Sequence, residues 1–253
     1  MTILLTNDDG IAAPGLNALY KGISKFYPVK VVAPESEQSA VGHAITIHNP
    51  LRVKKFFQGE KFFGYAVNGT PADCVKIAVK AIMEEPPKLV ISGINFGANI
   101  GTNLIYSGTV SAATEAAILK IPSVAISLTT RFDPDFSYAA EFALKMAKLI
   151  LKNGLPDGIS INVNIPAVPK NKIAGVRVVK QGRARVAEWF DKRMDPSGNT
   201  YYWMAGELVA SEEEEDADEA TIKKNMVSIT PIHYDMTDYK VMDKIKKWKF
   251  NER

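Results

Sequence analysis

The sequence predicts an α/β fold: a Rossmann-like, doubly wound, mostly parallel sheet, with an extra β-hairpin beside it and a C-terminal extension used in oligomerisation. Two observations carry this. Short apolar runs alternate with amphipathic helical patterns through residues 1–168, the rhythm of βαβ units. After about Pro169 that rhythm gives way to basic and aromatic residues, an acidic run and a short basic tail. Residues 1–168 are therefore expected to be the catalytic domain. Residues 169–253 are expected to pack on it and on a neighbouring subunit, being too poor in βα units for a core of their own.

Ile3-Leu4-Leu5 is a buried strand, Gly15 to Phe26 a helix with Leu16, Leu19 and Ile23 on one side, and Val29 to Ala33 a second strand closed by Pro34. Together they make a βαβ unit, which implies parallel strands and a right-handed crossover. Leu51 to Val67, apolar and aromatic around Gln58-Gly59-Glu60, is the hairpin. Pro71 to Met83 is helical, with Thr70 as N-cap and Pro71 at the first helical position. Leu89 to Ser92 is the next core strand, Gly108 to Leu119 an Ala-rich helix and Val124 to Leu128 another buried strand. Phe136 to Leu151 has a clear amphipathic period, and Ile159 to Ile165 alternates apolar residues with Ser and Asn as a strand would. In the extension, the acidic run Glu212 to Glu219 is expected on the solvated surface. Val227-Ser228-Ile229 returns to strand character and Tyr239 to Phe250 is a final helix.

Bulk properties exclude several classes. At 46% hydrophobic and 23% charged residues the composition is that of an ordinary globular protein. A net charge of +3 is too slight to argue for a nucleic-acid polymer as partner. The chain enters a strand at once, with no basic segment followed by a long apolar stretch, so neither a signal peptide nor a membrane span is expected. The single cysteine, Cys74, excludes an intramolecular disulfide framework and a thiolate zinc cluster. It has no charged activator beside it and reads as a core residue. These features point to the cytoplasm.

The chemistry is expected where the first strand breaks at Asn7-Asp8-Asp9-Gly10. Open α/β sheets bind ligands at the C-terminal edge of their strands. Two adjacent carboxylates there are costly unless a cation or proton neutralises them. Taken alone, the four residues read as a turn. Two further loops leave the same edge: Pro34 to His43, and Gly93 to Gly101, both small, polar and glycine-bearing. Carboxylates, hydroxyls and side-chain amides from three loops suit Mg²⁺ or Mn²⁺ and are unlike a tetrahedral zinc site. Tyr106 to Ala112 adds hydroxyls and glycine at a helix start, where free N–H groups and the helix dipole favour an anion. Ser and Thr are also ordinary N-caps there.

Neither G-x-G-x-x-G after the first strand, nor a P-loop, nor a G-x-S-x-G elbow is present. A cation beside an anion cradle, without a Ser or Cys nucleophile, favours metal-assisted phosphate hydrolysis, with a water made acidic by the cation attacking phosphorus in line. Asp8 or Asp9 would orient or deprotonate that water.

TNDDG at Thr6 to Gly10, GTPADCV at Gly69 to Val75, SGINFGANIG at Ser92 to Gly101 and YSGTVSAATEA at Tyr106 to Ala117 resemble the signature blocks of the survival protein E (SurE) family. NVNIP at Asn162 to Pro166 and SITPIH at Ser228 to His233 extend the resemblance over nearly the whole chain. The resemblance implies a metal-dependent nucleotidase acting on nucleoside 5'- and 3'-monophosphates. It implies one divalent cation per subunit, held by Asp8, Asp9, Ser39 and Asn95. It further implies a substrate phosphate among Asn99, Ser107, Gly108 and Thr109, and a homodimer or homotetramer.

Two other functions fit the same residues: a nucleotide-sensing module without turnover, and a hydrolase of polyphosphate or amide bonds. Arg183, Arg185, Trp189 and the Tyr201 to Trp203 cluster suit a subunit contact better than nucleotide stacking. His43 is as fit for a surface or capping role as for substrate contact.

Overall fold

The computed structural model of the chain describes residues 1–130, 132, 134–209 and 214–250. Its centre is a nine-stranded sheet with the strands β1 (Ile3–Thr6), β2 (Val29–Pro34), β3 (Val53–Gln58), β4 (Lys61–Val67), β5 (Leu89–Phe96), β6 (Ser123–Thr129), β7 (Ile159–Pro166), β8 (Gly175–Val178) and β11 (Met226–His233). Their order is β3-β4-β2-β1-β5-β6-β7-β11-β8. From β4 through β7 every neighbouring pair is parallel, as a chain of crossover units requires. The antiparallel pairs are the hairpin β3–β4 at one edge and β7–β11 near the other. The hairpin therefore continues the main sheet through β4 on β2.

Alternation along β1 sets the two helical layers. Ile3 and Leu5 face a cluster with Leu16, Leu19 and Ile23 of α1 (Pro14–Ile23) and Phe142 and Met146 of α4 (Ser137–Asn153). Leu4 faces the other way, onto Cys74 and Val75 of α2 (Pro71–Ile77) and Ala112 and Ala116 of α3 (Gly108–Ile118). Cys74 is buried, as its helical position suggested. The helix from Pro71 is α for seven residues and continues as one π-helical stretch, Ala78–Ile82. Thr70 caps it reciprocally with Asp73. The first helix stops at Ile23 rather than Phe26, because Tyr27-Pro28 must leave the helical region to start β2.

The segment after Pro169 forms no separate body: β8 and β11 complete the main sheet. Strands β9 (Arg185–Met194) and β10 (Thr200–Val209) pair only with each other, as an antiparallel hairpin. The acidic run meets the expectation only in part: Glu215 and Asp216 are exposed, whereas the two acids that follow Ala217 are not. Asp218 and Glu219 open α5 (Asp218–Lys223) and are buried. Asp218 is drawn inward because its carboxylate accepts N–H bonds from Gly101, Gly182 and Glu219 at 2.8–3.0 Å. Glu212 and Glu213 lie outside the described residues. The final helix α6 is short, Tyr239–Ile245.

Residues 35–52 link β2 to β3 as an irregular strap over α2 and α3. It is tied by Gln38 N–H to the Asp8 carbonyl (2.7 Å) and by Gly42 N–H to the Tyr106 carbonyl (3.0 Å). The Thr46 N–H and hydroxyl both donate to Asp73. His43 Nε2 meets Glu115 Oε2 at 2.9 Å, and Lys76 Nζ donates to Glu115 Oε1 at 2.6 Å. Burial would raise the Glu115 carboxyl, but the His43 and Lys76 bonds outweigh it and hold the group below its ordinary value.

Two predictions follow from this packing. A Cβ on Gly15 would stand 2.0 Å from the Ile94 carbonyl oxygen, whereas one on Gly59, at φ +61°, would meet nothing. Gly15→Ala should therefore cost roughly 3 kcal/mol by urea denaturation, and Gly59→Ala about 1 kcal/mol, from its left-handed backbone alone. Equal costs would contradict the close approach of α1 to β5. Glu115→Gln should destabilise by about 1–2 kcal/mol at pH 7, discounted because His43 and Lys76 are partly exposed. A depressed carboxyl stabilises fully above its unfolded value of about 4.3 and stops doing so as pH falls through the lower folded value. The gap between wild type and Glu115→Gln should accordingly shrink on going down to about pH 3; a gap independent of pH would show that Glu115 is not charged in the folded protein.

Candidate active site

Three strand ends and one helix start meet around Asp8 and Asp9. Asp8 is buried just beyond β1, and its two oxygens are both engaged by Thr109: the N–H donates to Oδ2 at 3.0 Å and the hydroxyl to Oδ1. Thr109 lies in the first turn of α3, so the positive end of that helix faces a carboxylate. Gly108 permits this approach, because a Cβ there would sit 2.8 Å from the Asp8 Cβ. On the other side Asp9 Oδ2 accepts a longer bond, 3.4 Å, from the Phe96 N–H at the end of β5.

Ser39 and Asn95 each adjoin a residue bonded to the pair, Gln38 through the Asp8 carbonyl and Phe96 through the Asp9 carboxylate. Ser39 is exposed on the strap one residue beyond Gln38, and its hydroxyl donates to Glu37. Asn95 is buried near the end of β5 and donates its Nδ2 to the Gly97 carbonyl at 2.8 Å. A bulge between Gly93 and Asn95 resets the register of β5 against β6, which re-aims Asn95 at the strand end. Ser107 is the N-cap of α3, its hydroxyl accepting from Val110 N–H at 3.1 Å. Asn99 sits deeper: its Nδ2 donates to Ser127, its N–H to Asn164 Oδ1, and its carbonyl accepts from Asn162 and Asn164, all at 2.8–2.9 Å.

Electrostatics at this rim are unfavourable for bare carboxylates. Burial raises Asp8 above its ordinary value against the Thr109 bonds, with a small further push from Glu37. Burial, then the charge of Asp8, pushes Asp9 up to about 7. A site that raises two adjacent acids is a site that favours a cation. Thr6 Oγ1 and Asn7 Oδ1 at the end of β1, and Ser92 Oγ in the middle of β5, are buried without hydrogen-bond partners. Among the described residues no three of His, Cys, Asp and Glu are grouped to hold a metal. A cation here therefore takes hydroxyl or amide oxygens along with two carboxylates, the donor set of a hard divalent ion. The residues fit such an ion.

Sequence reasoning missed three supports. Glu37 adds a third acid beside the pair, although it stood in view within the strap. Thr109 is fully buried and acts on Asp8, a role that no motif announces. Asp218, more than 100 residues away in sequence, fixes Gly101 at the end of the Asn99 loop, and Gln181 Nε2 and the Ala184 carbonyl bind the same loop. Only the anomaly of an acid beside the small residues Ala217 and Ala220 could have hinted at Asp218.

Known proteins resemble this chain in sequence and in fold. The family model for "Survival protein SurE" matches residues 3–188. The "5'-nucleotidase SurE" of Syntrophus aciditrophicus is 54% identical over 247 residues, spanning 97% of this chain and 93% of that protein. The "5'-nucleotidase SurE" of Syntrophobacter fumaroxidans is 49% identical over 248 residues, spanning 98% and 99% respectively. The crystal structure of SurE protein from Aquifex aeolicus superposes with a TM-score of 0.85 at 41% identity, over 97% of this chain and 98% of that one. With a family match over residues 3–188, about half of all positions identical to these relatives over almost its full length, and a shared fold, this chain belongs to the survival protein SurE family.

Proposed function

We propose that this protein is a 5'-nucleotidase, hydrolysing nucleoside monophosphates to nucleoside and phosphate, and that the reading extends to 3'-monophosphates. The observation that carries it is the adjacent acids Asp8 and Asp9 beside the start of α3, Asp8 buried and raised by that burial, Asp9 half-buried and raised by burial and by the charge of Asp8. The names of the relatives supply the substrate class.

Asp8, Asp9, the Ser39 hydroxyl and the Asn95 carbonyl oxygen would hold one Mg²⁺ or Mn²⁺. When bound, that ion acidifies water and offsets the charge of the phosphoryl group. The chain's own residues do the rest. At the start of α3 Gly108 presents its N–H, and Ser107 its hydroxyl, to the phosphate oxygens. Thr109 holds Asp8 rigid through two bonds, so Asp8 serves as a fixed ligand. Asp9, with one long bond, is the freer carboxylate and the one to take a proton from the attacking water. The water oxygen then bonds to phosphorus as the ester P–O bond breaks, and the departing nucleoside oxygen takes a proton from solvent. Asn99, braced by Asn162 and Asn164, orients the phosphate from the loop after β5.

The protein is read as a homodimer or homotetramer, built through the β9–β10 hairpin. That hairpin exposes Trp189, Phe190, Tyr202 and Trp203 without pairing to the main sheet, a composition typical of interfaces. A cytoplasmic location is in keeping with the lone, buried Cys74. Among the described residues no helix is long and apolar enough to cross a membrane.

Phosphate release from AMP should require Mg²⁺ or Mn²⁺ and stop with chelator. Asp9→Asn should lower it on the order of 10³-fold. The ion at 100 times its Kd should also stabilise wild type by about 2.7 kcal/mol in thermal melts, and do so far less for Asp8→Asn. Full activity in chelator, or in Asp9→Asn, would sink the assignment. Light scattering at micromolar concentration should give a dimer or larger, and a purely monomeric mass would remove the role given to the hairpin.

A further inference from the structure

A cleft borders Asp9 that no residue of α3 lines. Asp9 lines it together with Ala13 and Pro14 at the start of α1, Phe96 at the end of β5, and Pro134 and Phe136 before α4. Its volume is about 290 Å³, close to the lower bound for a pocket holding a small organic ligand. Asp9 is the one charged or polar side chain among the described residues that line it.

Phe96 is the unusual member. It is 43% exposed and belongs to none of the buried clusters that hold the sheet to its helices. It follows Asn95 directly, and its N–H is the donor to Asp9. An aromatic side chain thus stands at the reacting edge, partly exposed and outside the buried clusters. Asp8 is bonded toward α3 and Asp9 borders the apolar cleft, so the two adjacent acids separate a polar, donor-rich side from an apolar side. A phosphomonoester reacting at this pair would extend its alcohol portion away from α3 and into the cleft.

We infer that this cleft is the subsite for the nucleobase of the substrate, stacked against Phe96 and walled by Ala13, Pro14 and Pro134. Stacking on an aromatic face suits a flat, weakly polar ring and is tolerant of base identity. The inference rests on the nucleotidase reading and adds to it which part of the substrate is recognised and by what.

The test compares AMP with ribose 5-phosphate, which has the same reacting ester and no base, using the full-length protein with Mn²⁺. The ratio of kcat/KM for AMP to that for ribose 5-phosphate should fall about tenfold in Phe96→Ala, chiefly through KM for AMP. Phe96→Tyr should keep the ratio near wild type, and Ala13→Leu, which narrows the cleft from the opposite wall, should lower it. Adenosine, which carries no phosphate, should inhibit wild type competitively and lose about tenfold in potency against Phe96→Ala. A structural role for Phe96 would lower both substrates together. An unchanged ratio and unchanged adenosine inhibition in an active protein would overturn the subsite alone. Failure of wild type to release phosphate from either compound would overturn the nucleotidase reading, and the subsite with it.

Discussion

Two neighbouring carboxylates at the tip of the first strand, one buried and one half-buried, are the constraint around which the molecule is arranged. Adjacent side chains on an extended backbone normally point apart, yet here both acids lie at one edge and both are raised above their ordinary values. Removing two like charges from water is costly, and hydrogen bonds from one threonine and one amide compensate only in part. What remains is an attraction for positive charge, and the surrounding oxygen atoms are those a hard cation takes. Gly108, with no Cβ to strike Asp8, lets the helix start come close enough to share the work.

Around that pair stands a supporting layer from parts of the chain remote in sequence. The strap that carries Ser39 is fastened to α2 and α3 through Asp73 and Glu115. The loop that carries Asn99 is fastened to β7 by Asn162 and Asn164 and to the C-terminal part by Asp218. A buried carboxylate that accepts three backbone N–H groups is a positioning device: it fixes loop geometry without touching substrate. The C-terminal part is thus as much a brace for the site as it is a separate appendage. Its strands β8 and β11 close the sheet, while β9 and β10 stand clear of it.

Much of this was legible because the signals are local. The unbroken apolar run Ile3 to Leu5 marked a core strand, Thr70 and Pro71 announced a helix start, and Gln58-Gly59-Glu60 marked the hairpin turn. Small polar loops after parallel strands located the rim of the site. What stayed hidden depends on long-range partners. Glu212 to Glu219 reads as a solvated charge block, and Glu215 and Asp216 are exposed, yet Asp218 is buried because backbone donors from residues 101 and 182 bond its carboxylate. Glu115 is one acid in an Ala-rich helix, and only the strap and α2 reveal its bonds to His43 and Lys76. Thr109 looks like a phosphate ligand in sequence, and the fold turns it onto Asp8. The resemblance in ordered blocks named Ser39 and Asn95, which loop composition alone left among several candidates.

The most direct measurement of the central claim is a crystal structure of the protein grown with Mn²⁺, with anomalous scattering recorded at the manganese edge. The account predicts one strong anomalous peak per subunit at the end of β1, within ligand distance of the carboxylates of Asp8 and Asp9, the Ser39 hydroxyl and the Asn95 carbonyl oxygen. No peak there, or a peak elsewhere with those four side chains turned apart, would contradict it.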